Sequence, residues 1–182
     1  MSATDVIVSA LEHNWDMVDK ALEDLDDATL ARQPAEDCNS IAWLLWHMYR
    51  VVDTIIHAPR SKPQIWNEEG WQDKFGMSED EGRFGYGWSA ERVGAWEAPP
   101  RDILFGYAQA VQSRTRDYIG NLGSSDLELT WAPPSGQPRT VSSSLSLLVY
   151  DNIAHGGQMR TYEDFTRAWV VGALTPNASE SP

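Results

Sequence analysis

The chain has 182 residues, 42% of them hydrophobic and 23% charged, enough for one globular domain with a real core. Its formal net charge of −13 repels phosphate backbones and anionic lipid headgroups, and Arg and Lys are scattered singly, which argues against nucleic-acid and membrane partners. A single cysteine, Cys38, excludes an internal disulfide; Asp5, Glu12, Asp16 and Asp19 break up any signal-peptide core, no apolar run reaches the roughly 18 residues of a membrane span, and the expected compartment is the reducing cytoplasm.

Four stretches carry helical periodicity. From about Thr4 to Asp26, Ile7, Leu11, Val18, Leu22 and Leu25 fall on one face, with Thr4 or Asp5 as N-cap. From about Asn39 to His57, Leu44, Leu45, Met48, Val51, Val52 and Ile55 form the main apolar face, with Asn39 or Ser40 as cap. Residues 59–101 are rich in Gly and Pro and hold Trp66, Trp71, Trp88 and Trp96. They predict a long crossover with a short helix near Ala90–Trp96 started by Ser89; a connection of this length is more often functional than idle.

A third long helix is predicted over Arg101–Asn121, with Leu104, Tyr107, Val111, Thr115 and Tyr118 in its inward stripe and Gly120 and Gly123 as stop signals. After a turn-rich loop the fourth runs from about Val141 to Val171. The expected architecture is all-α, a four-helix bundle over 1–173 with the crossover between its second and third helices, no sustained strand, and a disordered tail at 174–182.

One face of the last helix reads Leu148, Asp151, His155, Met159, Tyr162, Thr166, Trp169, at alternating spacings of three and four. Most of these residues are apolar, so the face is predicted to look inward. A buried lone carboxylate is costly, whereas Asp and His one turn apart can hold a divalent metal. His47 on the second helix lies beside the apolar face and in line with Trp43, so it can point into the bundle. Two His and one carboxylate suit Zn, Ni, Fe or Mn. A hydrogen-bonded Asp–His pair without metal is the competing reading.

Gly157 in mid-helix costs about 1 kcal/mol against Ala and is expected to let a neighbouring element come close. Gln158, three residues past His155, is expected to hydrogen-bond a ligand, a substrate or another helix. Trp43 and Trp46 flank His47 and are candidates for the pocket wall. His57 is read as a cation in a last helical turn, where the dipole suits it; His13 sits next to a polar face. Cys38 is read as a small buried apolar residue.

Asn39-Ser40-Ile41-Ala42-Trp43-Leu44-Leu45-Trp46-His47 and Asp151-Asn152-Ile153-Ala154-His155-Gly156-Gly157-Gln158 resemble the second-helix and last-helix signatures of the DinB-like (damage-inducible B) superfamily. The resemblance covers about residues 5–170, including the Trp- and Gly-rich crossover and Tyr107-Ala108-Gln109-Ala110-Val111. It implies His47, Asp151 and His155 as metal ligands. The family more often has His at the position of Asp151; Asp there resembles its actinobacterial, mycothiol-related branch.

The resemblance further implies a metal-dependent enzyme using a low-molecular-weight thiol as cosubstrate, either a mycothiol-type S-transferase or a mycothiol-dependent isomerase. Trp43, Gln158 and Tyr162 are the candidate substrate contacts, and a homodimer is expected. The alternative is a non-catalytic dimeric helical bundle that binds a metal or small ligand.

Overall fold

The computed structural model describes residues 2–77, 84–132 and 136–174, with side chains through Glu163. It is mostly helical. Four long helices dominate: α1 (Ala3–Leu22), α3 (Ile41–His57), α7 (Arg101–Gly120) and α9 (Val141–Leu174), with short α2 (Asp27–Ala31), α4 (Ile65–Glu68), α5 (Trp71–Lys74), α6 (Ala90–Gly94) and α8 (Ser124–Leu127) between them. The long helices contact one another in a ring: α1 packs on α9 and α7, and α3 packs on α7 and α9. Among the described residues the only strands are two-residue β1 (Thr130–Trp131) and β2 (Arg139–Thr140), an antiparallel pair before α9. No described helix is long and apolar enough to cross a membrane.

Several boundaries differ from the sequence expectation. Ser2, not Thr4 or Asp5, caps α1: its hydroxyl receives Asp5 N–H and Asp5 receives Ser2 N–H, a reciprocal box that satisfies two otherwise orphan donors. α1 stops at Leu22 rather than Asp26, because Asp26 caps a new helix by accepting Thr29 N–H. Ser40 caps α3 through Trp43 N–H, which contributes about 1 kcal/mol and fixes where the helix begins. α9 runs on to Leu174; the predicted tail lies, from residue 175, outside the described residues, as do the side chains of Thr166 and Trp169.

Two contacts between α1 and α9 set the height of the last helix. Asn14 donates to the Asn152 carbonyl at 2.9 Å, and Trp15 Nε1 donates to Asn152 Oδ1 at 2.9 Å, both buried. Gly156 makes this approach possible: a Cβ there would lie 2.1 Å from Asn14 Oδ1. α9 is thereby held against α1 at the level of Asp151 and His155.

The crossover is anchored by a buried carboxylate. Asp53, fully buried, accepts Ile65 N–H and Trp66 N–H at 3.0 Å each, the first turn of α4, and Tyr107 Oη–H at 2.9 Å; Arg50 lies 3.3 Å away. Burial pushes the Tyr107 hydroxyl's pKa up, keeping it a donor. His57 lies in the last turn of α3, as expected. It is 1% exposed, with Nδ1 2.9 Å from both the carboxylate and the carbonyl of Asp53. What the spacing did not reveal is that it is buried as an internal partner of Asp53.

Trp66, so placed, joins an aromatic cluster with Trp46, which also contacts Trp88 and Trp96. Offset or edge-on packing of this kind suits ring quadrupoles. The cluster seats the crossover over the part of α3 that carries His47.

Candidate metal centre

His47 comes from the middle of α3, and Asp151 and His155 from successive turns of α9. One ligand atom from each, a ring nitrogen or a carboxylate oxygen, lies within 4.8 Å of the other two, so the cluster could hold a metal ion. The His47 and His155 rings meet edge to face at 4.9 Å. His155 Nε2 is 3.5 Å from Asp151 Oδ1, and these two side chains are 20% and 22% exposed. The cluster is therefore embedded but open on one side.

The hydrogen bonds around the cluster fix which nitrogens are available. His47 Nδ1 bonds the backbone carbonyl of Phe84, and His155 Nδ1 bonds Gln158 Oε1 at 2.7 Å. A carbonyl oxygen only accepts, so Nδ1 carries the proton in both rings and Nε2 is left to ligate. Outer acceptors of this kind accompany metal-binding imidazoles generally. The third group makes the fit sharper: Asp151 Oδ2 is buried and has no hydrogen-bond partner. A buried carboxylate oxygen without a partner, in a residue that shares the cluster with two imidazoles, is costly without a cation and is satisfied by one.

Electrostatics divides the two rings. Burial holds the His47 pKa below that of an ordinary imidazole, with the His155 ring pushing the same way, against the upward pull of the Phe84 carbonyl and Asp151. His47 is thus neutral and ready to ligate. The hydrogen bond to Asp151 raises the His155 pKa, helped by Gln158 and opposed by burial. Without a metal, Asp151 therefore favours the protonated form of His155.

The other candidates fall as follows. Trp43 stacks on His47 at 4.9 Å and 8°, and is 6% exposed, so it covers one face of the imidazole rather than an open pocket. Trp46 lies behind it, 1% exposed. A cleft of about 1190 Å³ lies on the other side of Gln158, lined by Arg32, Asp37, Cys38, Asn39, Gly157 and Tyr162 among others, but by none of the three candidate ligands. Gln158 belongs to both, its Oε1 on His155 and its side chain in the cleft wall.

Tyr162 Oη donates to the Asn39 carbonyl at 3.0 Å, and burial, reinforced by neighbouring Cys38, pushes its pKa to about 12. Cys38 is half-buried at the cleft rather than packed away. Gly157 also departs from expectation: a Cβ there would meet nothing within 4 Å, so it keeps bare backbone in the cleft wall, while Gly156 supplies the close approach.

Sequence reasoning missed the Phe84 carbonyl, because a backbone acceptor has no residue-type signature. It also missed Asn152, although a polar residue between Asp151 and His155 on a buried helix was a visible signal.

The fold and site define an all-α protein with a two-histidine, one-carboxylate metal-site candidate between α3 and α9. The family model of the DinB superfamily matches residues 10–159, and the chain belongs to that superfamily. The crystal structure of the conserved protein of locus from Enterococcus faecalis is similar in fold, with a TM-score of 0.80 at 22% identity over 94% of this chain and 99% of that one. No curated protein matches the sequence.

Proposed function

We propose that this protein is a metal-dependent enzyme that uses a low-molecular-weight thiol of the mycothiol type, as an S-transferase or a thiol-dependent isomerase, built on a DinB-type four-helix bundle. The observation that carries the reading is the convergence of His47, Asp151 and His155, each with a ligand atom within 4.8 Å of the others, together with a buried Asp151 Oδ2 that has no hydrogen-bond partner and two imidazoles whose Nδ1 atoms are already engaged. His47, Asp151 and His155 would hold Zn, Ni, Fe or Mn, which the nitrogen and oxygen donors suit. The metal would supply a Lewis-acidic centre with open positions, lowering the pKa of a small thiol.

The chain's own groups do the rest. Trp43 shields one face of His47 from water, and Asp151 brings negative charge that moderates the centre's acidity. Gln158 orients His155 and reaches into the cleft, where the body of a substrate would lie against Gln158 and Tyr162. This assignment needs no nucleophile from the protein.

The proposal extends to a cytoplasmic homodimer. Leu147, Tyr150 and Ile153, 43%, 72% and 48% exposed, fall at three-residue steps along α9 and support a self-associating face. Sedimentation at micromolar concentration should give twice the chain mass; a clean monomer removes that part.

A second reading, a non-catalytic helical module, is favoured by the Asp151–His155 pair itself, which is electrostatically complete when His155 is protonated. Metal content of the purified protein and thiol consumption with a generic electrophile separate the two. Wild type should retain metal and consume one of mycothiol, bacillithiol, glutathione or cysteine in a metal-dependent way. His47→Ala, Asp151→Ala and His155→Ala should lose both properties. No metal in a metal-replete preparation, or no metal-dependent turnover with any thiol, overturns the enzyme reading.

A further inference from the structure

The turn at Phe84–Gly85 has an unusual backbone. Phe84 has φ +45°, a left-handed conformation that non-glycine residues seldom adopt, and Gly85 follows with φ +77°. Such strain persists only where the surroundings over-determine it, and an observed outlier of this kind is a reason to look for a function. Here the surroundings are specific. Gly85 lies flat against α3: a Cβ there would fall 2.4 Å from Trp43 Cζ2 and 3.0 Å from Trp46 Cζ3. The chain then runs to Trp88, which packs on Trp43 and Trp46 at 6.3 and 5.3 Å. The turn is thus pressed onto the ring that stacks on His47, and the strained residue is the one whose carbonyl receives His47 Nδ1–H.

We propose that the Phe84–Gly85 turn is the positioning element of the metal centre: its carbonyl selects the Nδ1–H tautomer of His47, and its glycine lets that carbonyl reach the ring over Trp43. His47 is then gripped on an edge by the Phe84 oxygen and on a face by Trp43, which leaves Nε2 as its free atom, on the side of Asp151 and His155. Gln158 does the same for His155 from within its own helix. The difference is that His47 depends on a segment nearly 40 residues away in the chain, so the two halves of the site are completed by different parts of the fold. The purpose assigned to the turn rests on the metal reading above, but its hold on the imidazole is a property of the metal-free chain.

Two variants and two measurements, the His47 tautomer and the zinc affinity, test this. Gly87 provides the control, since it shares φ +77° but a Cβ there meets nothing within 4 Å. Gly87→Ala therefore carries the backbone strain of Gly85→Ala without its collision with Trp43. Long-range ¹H–¹⁵N correlation on the ¹⁵N-labelled, metal-free protein, at a pH where the rings are neutral, reads the His47 tautomer directly.

The expected result is the Nδ1–H form in wild type and Gly87→Ala, with a shift toward Nε2–H in Gly85→Ala. Zinc affinity, measured by competition with a chromophoric chelator, should fall about 10–100-fold in Gly85→Ala and stay near wild type in Gly87→Ala. An Nε2–H tautomer in the wild type overturns the proposal without need of any variant, as does a Gly85→Ala protein with unchanged tautomer and zinc affinity. A wild type that holds the Nδ1–H form yet binds no zinc overturns the metal reading and leaves the turn's hold on His47 standing.

Discussion

The chain contains the same pair twice. Asp53 and His57 on α3, and Asp151 and His155 on α9, are each an aspartate and a histidine one helical turn apart, yet they have opposite fates. Asp53 is 0% exposed and His57 1%, and the carboxylate is surrounded by donors: two backbone amides of α4, Tyr107 and Arg50, with His57 beside it. Asp151 and His155 are about a fifth exposed, and one carboxylate oxygen, though buried, has no partner at all. In the first pair the carboxylate is saturated and holds the crossover in place, although His57 Nε2 is buried without a hydrogen-bond partner. The second has spare bonding capacity, next to an opening and facing a third ligand. An Asp–His spacing alone says nothing about which of these it will be; what decides is how many donors the rest of the fold brings to the carboxylate.

The largest test of this contrast is a matched pair of isosteric changes. Asp53→Asn removes the charge that the buried Arg50 faces and puts an amide N–H₂ among donors. It should destabilise the metal-free protein by about 3–5 kcal/mol, the scale of breaking a buried pair. Asp151→Asn removes an orphaned oxygen's charge and should change stability by no more than about 1 kcal/mol, while abolishing metal retention. Urea unfolding and metal analysis of both variants decide the matter. Equal destabilisation by the two would erase the distinction between a closed and an open cluster.

A smaller effect, specific to the open cluster, is its pH dependence. The His155 pKa is raised by Asp151, against the effect of burial and with help from Gln158, so the metal-free ring keeps its proton to higher pH than an ordinary imidazole. A metal takes the Nε2 lone pair, and that proton must leave first. Apparent zinc affinity should therefore rise about tenfold per pH unit while His155 is protonated, and level off above its pKa. His47, held low by burial, is already neutral there and adds no slope. The metal-free chain should behave oppositely: a raised folded pKa contributes stability below the unfolded value, and that contribution is lost as pH rises through the folded one. Flat zinc affinity between about pH 6 and 8 would mean that His155 is not the protonated partner of Asp151.

The smallest effect concerns the space beside the open cluster. Gly157→Ala places a methyl group in the cleft wall, where it meets nothing, and removes glycine's helix penalty, so the protein should gain up to about 1 kcal/mol in unfolding free energy. A loss of stability would show that another part of the molecule already fills that space.

How much of this was legible beforehand follows from what periodicity encodes. A 3.6-residue repeat marks which face of a helix is apolar, so the four long helices, the Ser40 and Ser89 caps and the inward direction of Asp151 and His155 could be read from residue types and spacing. The local competition of Asp26 as a cap, which ends α1 early, was also written in the chain but outweighed there by the apolar residue Leu25. The burial of His57 was not legible because the groups that bury its partner Asp53 come from α4 and α7, which no local pattern names.

The sequence by itself determined a mostly helical chain, a Trp-rich crossover and three candidate ligands on two helices, because those depend on side-chain type and helical geometry alone. Only the tertiary structure decided that His47 reaches Asp151 and His155, that Gly156 rather than Gly157 is the packing glycine, and that the Phe84 carbonyl sets the His47 tautomer. The reason is common to all three: backbone carbonyls and empty volumes carry no residue code, and which of them meets a given side chain is settled by packing between segments far apart in the chain.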